Sequence, residues 1–301
     1  VNSSGDEGNG RSAVPDVSTD GRFVSFESEA TNLVDGDTNF SKDVFVHDTQ
    51  SGTTIRASVD SDGNEGDALS FDARISDDGR FVAFQSWAWN LAPDVSNNGF
   101  YLHDTQTGTT SRVDVDNDGN YANSGGSNTP GVGLSANGRY VAFQSGANNL
   151  GVHDPNTPHN TGASVYLRDT LDGVTTMVSL NDDGIPGNAD CTAPDVSGDG
   201  RYVSFECEAA TNNLAPNDTN ERADVFIHDR ITGSTRRLSV DALGAEANGG
   251  SHNAALSADG RYVAFESRAT NLVSGDANGV DDVFIKAIPK PRIDSIVPEH
   301  L

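Results

Sequence analysis

The chain has 301 residues, a formal charge of −26 and three lysines, Lys42, Lys286 and Lys290. A surface this negative repels phosphate backbones and anionic lipid, which argues against nucleic acid as a partner. No run of about 18 apolar residues occurs, so a membrane-spanning helix, and membrane insertion through one, is not expected.

In chain order, the first organising element is Ser18-Thr19-Asp20-Gly21-Arg22-Phe23-Val24-Ser25-Phe26-Glu27-Ser28. It returns at 76–86 (SDDGRFVAFQS), 135–145 (SANGRYVAFQS), 197–207 (SGDGRYVSFEC) and 257–267 (SADGRYVAFES). The Gly-Arg pairs fall at 21, 79, 138, 200 and 260, in steps of 58, 59, 62 and 60 residues. A fixed period of this size marks an array of one supersecondary unit. The Asp-Gly or Asn-Gly step supplies the positive φ of a tight hairpin turn. The Arg-(Phe/Tyr)-Val-(Ala/Ser)-Phe that follows is apolar at consecutive positions, as in a strand covered on both faces. β-branched and aromatic residues with regular glycines argue against helix.

The copies run over about 1–58, 59–114, 115–179, 180–239 and 240–287. In each, a strand A precedes the turn and a strand B follows it. Strand C (Asp43–Asp48 in the first copy) then leads through an Asp-x-x-x-Gly turn (Asp48…Gly52) into strand D. Four strands per repeat predict an all-β fold, a five-bladed β-propeller of four-stranded antiparallel blades with strand A innermost. An open array would leave two broad apolar faces exposed, so a closed ring over residues 1–287 is expected.

The strings S-x-D-G-R-Y-V-A-F-x-S and D-V-F-V-x-D-x-x-x-G resemble the TolB-type propeller repeat, a WD-like family of bacterial secreted and periplasmic proteins. The resemblance implies a propeller used for binding, often beside other modules, in an extracellular, cell-surface or periplasmic setting. Residues 288–301 are expected to form a last strand or a linker, and Arg292–Pro298 resembles the opening strand of an IPT/TIG domain. Because Val1–Asn9 matches Val59–Asp67, the chain reads as starting inside a repeat, as part of something longer.

Cys191 lies eight residues before Asp199 of its hairpin and Cys207 eight after it. Other copies hold Ser12/Ser28, Ser70/Ser86, Thr129/Ser145 and Ser251/Ser267 there. Both partners change to Cys in one copy, which predicts a cross-strand disulfide and an oxidising compartment.

The loop between strands B and C carries Asp-x-Asn-x-x-x-Asp in three copies: Asp37/Asn39/Asp43, Asp218/Asn220/Asp224 and Asp276/Asn278/Asp282. Hard cations take six to eight oxygens from such side chains, so these sets are expected to bind about three Ca²⁺. Gly99 and Ser164 replace the last Asp in copies 2 and 3, where the loop length also changes. The Asp-rich D-to-A connections (Asp60–Asn64, Asp116–Asn120) read as turns. Asn32, Asn90, Asn149, Asn213 and Asn271 read as loop caps. His47, His103 and His228 read as exposed strand ends. The alternation of Glu27, Glu206 and Glu266 with Gln85 and Gln144 reads as tolerance. Trp87 and Trp89 stand on the side of the metal loops, where they pack or stack on a sugar ring.

The function expected is a non-catalytic, calcium-stabilised binding or structural module of a larger surface or secreted assembly. Its partner would be a protein or carbohydrate at the cell surface, or copies of itself. The alternative is a carbohydrate-active enzyme, a glycosidase or polysaccharide lyase, which needs a blade-specific pair of carboxylates near the axis. Most acidic residues here recur from copy to copy instead.

Overall fold

The structure, a computed structural model, describes residues 1–95, 98–124, 131–150, 162–208, 213–215 and 218–288. Five antiparallel sheets follow one another along the chain. The first contains β1 (Ser12–Val17), β2 (Phe23–Ser28), β3 (Asp43–Asp48) and β4 (Thr53–Arg56). The second contains β5 (Ser70–Ile75), β6 (Phe81–Ser86), β7 (Gly99–Asp104) and β8 (Thr109–Arg112). The third contains β9 (Val132–Leu134), β10 (Tyr140–Ser145), β11 (Ser164–Asp169) and β12 (Val174–Met177). The fourth contains β13 (Cys191–Val196), β14 (Tyr202–Cys207), β15 (Asp224–Asp229) and β16 (Ser234–Arg237). The fifth has β17 (Ser251–Leu256), β18 (Tyr262–Ser267) and β19 (Asp282–Ala287). The segment expected to form its last strand, beyond Ile288, lies outside the described residues, as does the IPT/TIG-like stretch.

The tight turns form where Asp-Gly and Asn-Gly predict them, with Gly21, Gly79, Gly138, Gly200 and Gly260 all at positive φ. The first strands of all five sheets line one cavity of about 470 Å³, so strand A is innermost. Cys191 pairs with Cys207 across β13 and β14, and their sulfurs are bonded. In three other sheets a serine pair holds that position with hydroxyls 2.9 Å apart.

The core lies between sheets. Val44 and Val46 pack on Val82, Phe84 and Tyr101, and each later junction repeats the arrangement. Two features specify the junction beyond apolar burial. One is an aromatic ring laid on the next sheet's turn: a Cβ on Gly79 would stand 2.0 Å from Phe23 Cδ2, and one on Gly200 1.9 Å from Tyr140 Cδ2. The other is a carboxylate that accepts a backbone N–H of the next sheet. Asp16 Oδ2 takes Ile75 N at 2.8 Å, Asp72 Oδ2 takes Gly131 N at 2.7 Å, and Asp195 Oδ2 takes Leu256 N at 2.7 Å. Glu27 and Glu206 do the same for Asp72 N and Asn253 N. The Glu/Gln position is therefore more than tolerance, because its glutamates stitch sheets together.

Closure by the fifth sheet on the first is not what these residues form. Val17 on one side and Tyr262, Val283 and Ile285 on the other are exposed. The two apolar end faces that an open array leaves uncovered are both present.

Candidate metal centres

Each candidate centre draws on four consecutive pieces of chain. Asp37 sits on the β2–β3 loop, Asp43 opens β3, Arg56 closes β4, and Glu65 lies on the connection to β5. Asp37, Asp43 and Glu65 offer carboxylate oxygens all within 4.8 Å of one another. Asp218, Asp224 and Glu246 repeat the group in the fourth sheet. A buried guanidinium stands beside each. Arg56 Nη2 is 3.3 Å from Asp37 Oδ2, its Nε 3.7 Å from Asp43 Oδ2, and its Nη1 bonds Glu65. Arg237 Nε is 3.2 Å from Asp224 Oδ2 and its Nη1 bonds Glu246.

Three carboxylates against one guanidinium leave a formal charge of −2. Burial pushes Asp43 and Asp224 up to about 6, even though Ser58 and Ser239 donate to them at 2.6 Å. Burial raises Asp37 as well, and its Oδ1 is buried without a hydrogen-bond partner. Oxygen donors with this residual charge could hold a metal ion.

The asparagines of the predicted sets take another role. Asn39 Nδ2 donates to Gly66 O at 2.8 Å and to Asp43 Oδ2 at 3.1 Å, while its Oδ1 accepts Ser41 N. Asn220 donates to Ala247 O at 2.8 Å and accepts Arg222 N. An Asx turn consumes the amide oxygen, and Glu65 or Glu246 completes each group of three carboxylates instead. Three sets were expected. In the third, Asn278 donates to Asp282 Oδ2 at 2.9 Å, and no three-carboxylate group including Asp276 and Asp282 forms among the described residues.

The glutamates had a sequence signal, in that they come and go with the aspartates, whereas the arginine persists in the second sheet as Arg112. The second sheet has Gly99 in place of Asp43, and there Arg112 fills the vacated space. A Cβ on Gly99 would meet its guanidinium at 2.6 Å. Arg112 pairs instead with buried Asp114 at 2.8 Å and stacks on Tyr121, the residue that replaces Glu65. The third sheet has Ser164, Met177 and Pro186 at these places and carries no charge there.

Around the centres the loop edge is firmly tied. Asn32 accepts Asn9 N at 2.8 Å and donates to Glu7 O at 2.8 Å. Asn90, Asn149, Asn213 and Asn271 cap their loops with the same pair of bonds. Asp60 and Asp116 accept the amides of tight turns. His103 and His228 are buried on Thr110 and Thr235 rather than exposed, and burial lowers both pKa values. Trp87 packs edge-on against Phe71, with centroids 6.4 Å apart, while Trp89 is exposed.

No protein-family model matches the sequence, and no curated protein matches it. Solved structures do resemble it. A protein described as TolB from Agrobacterium tumefaciens aligns at 15% identity over 93% of this chain and 91% of that one, with TM-score 0.50. An oligogalacturonate lyase in complex with manganese aligns at 13% identity over 90% and 60%, with TM-score 0.51. The propeller domain of the Trilobed protease from Pyrococcus furiosus, described as having an open velcro topology, aligns at 11% identity over 93% and 69%, with TM-score 0.50. TolB from Acinetobacter baumannii aligns at 16% identity and TM-score 0.48, and the chain spans 53% of its length. At these identities the likeness is one of fold: the chain is a TolB-like β-propeller.

Proposed function

We propose that this chain is a non-catalytic binding module that acts outside the cytoplasm and supplies five blades of a propeller over residues 1–287. In this reading Ca²⁺ at Asp37/Asp43/Glu65 and Asp218/Asp224/Glu246 stiffens the loop edge that meets a protein partner. The observation that carries it is the character of that edge. Its loops are held by the asparagine caps and the carboxylate–arginine groups, yet their tips expose Phe40, Trp89, Leu243, Val273 and Val280. Large apolar side chains on a stiff, exposed surface suit a protein interface. The Cys191–Cys207 bond suits an oxidising compartment.

A non-catalytic role is supported by how the axial carboxylates are engaged. Asp16, Asp72 and Asp195 all accept backbone amides of the neighbouring sheet, which gives each a structural duty. Ca²⁺ is preferred to Mg²⁺ because the donors are oxygens on loops of adjustable geometry and no phosphate-bearing ligand is evident.

The test places a photo-crosslinking residue at Phe40 or at Leu171, which is exposed at the opposite edge, in the host cell. Adducts with a protein from position 40 and none from 171 are expected. Equal labelling, or none at 40, overturns the docking edge. Depolymerisation of a polysaccharide by the purified chain, lost in Asp16→Asn, would replace the whole reading with an enzyme.

A further inference from the structure

The connection from β4 to β5 is gripped from both sides where it passes between the first and second sheets. On one side Asn39 Nδ2 donates to Gly66 O at 2.8 Å, and Lys42 O accepts Ser70 N at 2.7 Å. On the other, Trp87 N donates to Leu69 O at 2.9 Å and Trp89 N to Asp67 Oδ1 at 2.7 Å. Residues 66–70 are therefore the floor of a trough, walled by residues 39–42 of one sheet and 87–89 of the next. The same frame recurs between the fourth and fifth sheets, where Asn220 Nδ2 donates to Ala247 O and Ala223 O accepts Ser251 N, both at 2.8 Å. There it is a polar groove of about 740 Å³, with His252 and Arg268 in its lining. Phe71 and Trp87 hold the matching places in the first trough. The frame forms without aromatic residues, so building it does not require them.

Phe40 costs stability where it stands. It is 87% exposed, with φ of 54°. A bulky residue is disfavoured in the left-handed region, and the fifth sheet has Gly279 at this place, with φ of 68°. Strain and exposed apolar area on one residue point to a ligand that covers it. Across the trough Trp87 is 37% and Trp89 62% exposed, and neither indole N–H bonds another described residue. The nearby amides are already engaged: Asn39 and Asn90 each donate and accept within the loop edge. Lys42, on the wall, is paired with Glu27 at 2.8 Å. Asp67 and Glu29 are exposed, and Glu29 stands where Glu208 lines the later groove.

We infer that this trough binds a proline-rich segment of the protein partner, extended as polyproline II and carrying Lys or Arg among its prolines. The inference rests on the reading of the loop edge as the docking surface and names what docks there. Three features fix the occupant. Proline rings offer rigid apolar faces to Phe40, Trp87 and Trp89. A polyproline II segment has no internal hydrogen bonds, so its carbonyls are free to accept the two indole N–H groups. Basic side chains complement Asp67 and Glu29 on a chain of formal charge −26. A sugar fits less well, because the amides that would meet its hydroxyls are consumed by the loop caps.

The probe is a synthetic peptide of Pro-Pro-Arg repeats, and the reporter is the chain's own fluorescence, since Trp87 and Trp89 are its two tryptophans. Titration should change the emission to saturation. Phe40→Gly should weaken binding about tenfold, the loss of one aromatic contact, while raising the urea midpoint because the strain leaves with the ring. Leu171→Ala should change neither. A Gly-Gly-Arg peptide of equal length should bind about tenfold more weakly, having lost its rings and its preorganisation. No saturable response, equal affinity of the glycine peptide, or wild-type affinity in Phe40→Gly overturns the inference. A saturable response to cellohexaose in place of the peptide also overturns it and makes the trough a sugar site. The crosslink at Phe40 keeps this failure apart from failure of the docking edge. An adduct from position 40 without a peptide response removes the proline-rich segment and leaves the edge standing.

Discussion

Arg56 Nη2 stands 3.3 Å from Asp37 Oδ2, with both side chains buried. A buried guanidinium among three carboxylates changes the meaning of the Asp-rich loop. The loop is one part of a charge group that also needs strand D and the next connection. The first and fourth sheets carry the whole group, the second a rearranged pair, and the third an uncharged set.

Removing only the arginine should therefore be worse than removing the group. Arg56→Met leaves three carboxylates in a buried space and is expected to cost about 3–5 kcal/mol in urea unfolding with chelator present. Adding Asp43→Ser and Glu65→Pro, which installs the set of the third sheet (Ser164, Met177, Pro186), should recover most of that loss. A triple variant less stable than Arg56→Met would mean that the charges are not coupled.

The turn glycines allow packing to be separated from backbone strain. Gly21 and Gly79 share φ near +72°, but only Gly79 is covered by a ring. Gly21→Ala should cost about 1–2 kcal/mol, the left-handed penalty alone. Gly79→Ala should cost roughly 1–3 kcal/mol more, because Phe23 must leave its seat. Equal costs by denaturant melts would show that the ring contact contributes nothing.

The sequence made the repeat readable because a hairpin is local: its turn, apolar strand and period all fall within about ten residues. The Cys191–Cys207 pairing was legible for the same reason. The centres were only half legible. Asp37 and Asp43 lie on one loop, but Arg56 and Glu65 reach them from separate segments, and the asparagine amide that looked like a ligand is turned into an Asx turn. His103 and His228 looked exposed because Arg168 and Lys286 share their position, whereas His103, His228 and Arg168 bond Thr110, Thr235 and Thr175 of the facing strands and Lys286 donates to Val240 O and Asp241 O. The end faces could not be read at all, since their residue types match those of buried junctions.

The bond between Cys191 and Cys207 closes a loop of 16 residues. Chain-entropy reasoning gives such a loop about 3 kcal/mol. Reduction should lower the melting temperature, and the double variant Cys191→Ser/Cys207→Ser should regain part of the loss by forming the hydroxyl pair seen at Ser12 and Ser28. Two reactive thiols in the native protein would contradict the bond.

Acid stability should depend on the Arg–Asp clamps at the C–D turns. Arg139 donates to both oxygens of Asp169 at 2.8 and 2.6 Å, and these bonds lower its pKa to about 2. A carboxylate held below its unfolded value of about 3.9 stabilises the fold above that pH. The contribution fades as pH falls from about 4 towards 2. Arg139→Gln should flatten the pH dependence of stability in that window and leave the dependence above pH 5 unchanged. An unaltered acid limb would contradict the assignment.

Calcium calorimetry on the wild-type chain tests the central claim most directly. Two sites are expected, with Asp43→Ala and Asp224→Ala each removing one. Chelation should lower the melting temperature, since ligand at a hundredfold excess over Kd adds about 2.7 kcal/mol per site. No binding heat together with an unchanged melt in chelator would contradict it, leaving Arg56 and Arg237 as the only cations these clusters hold.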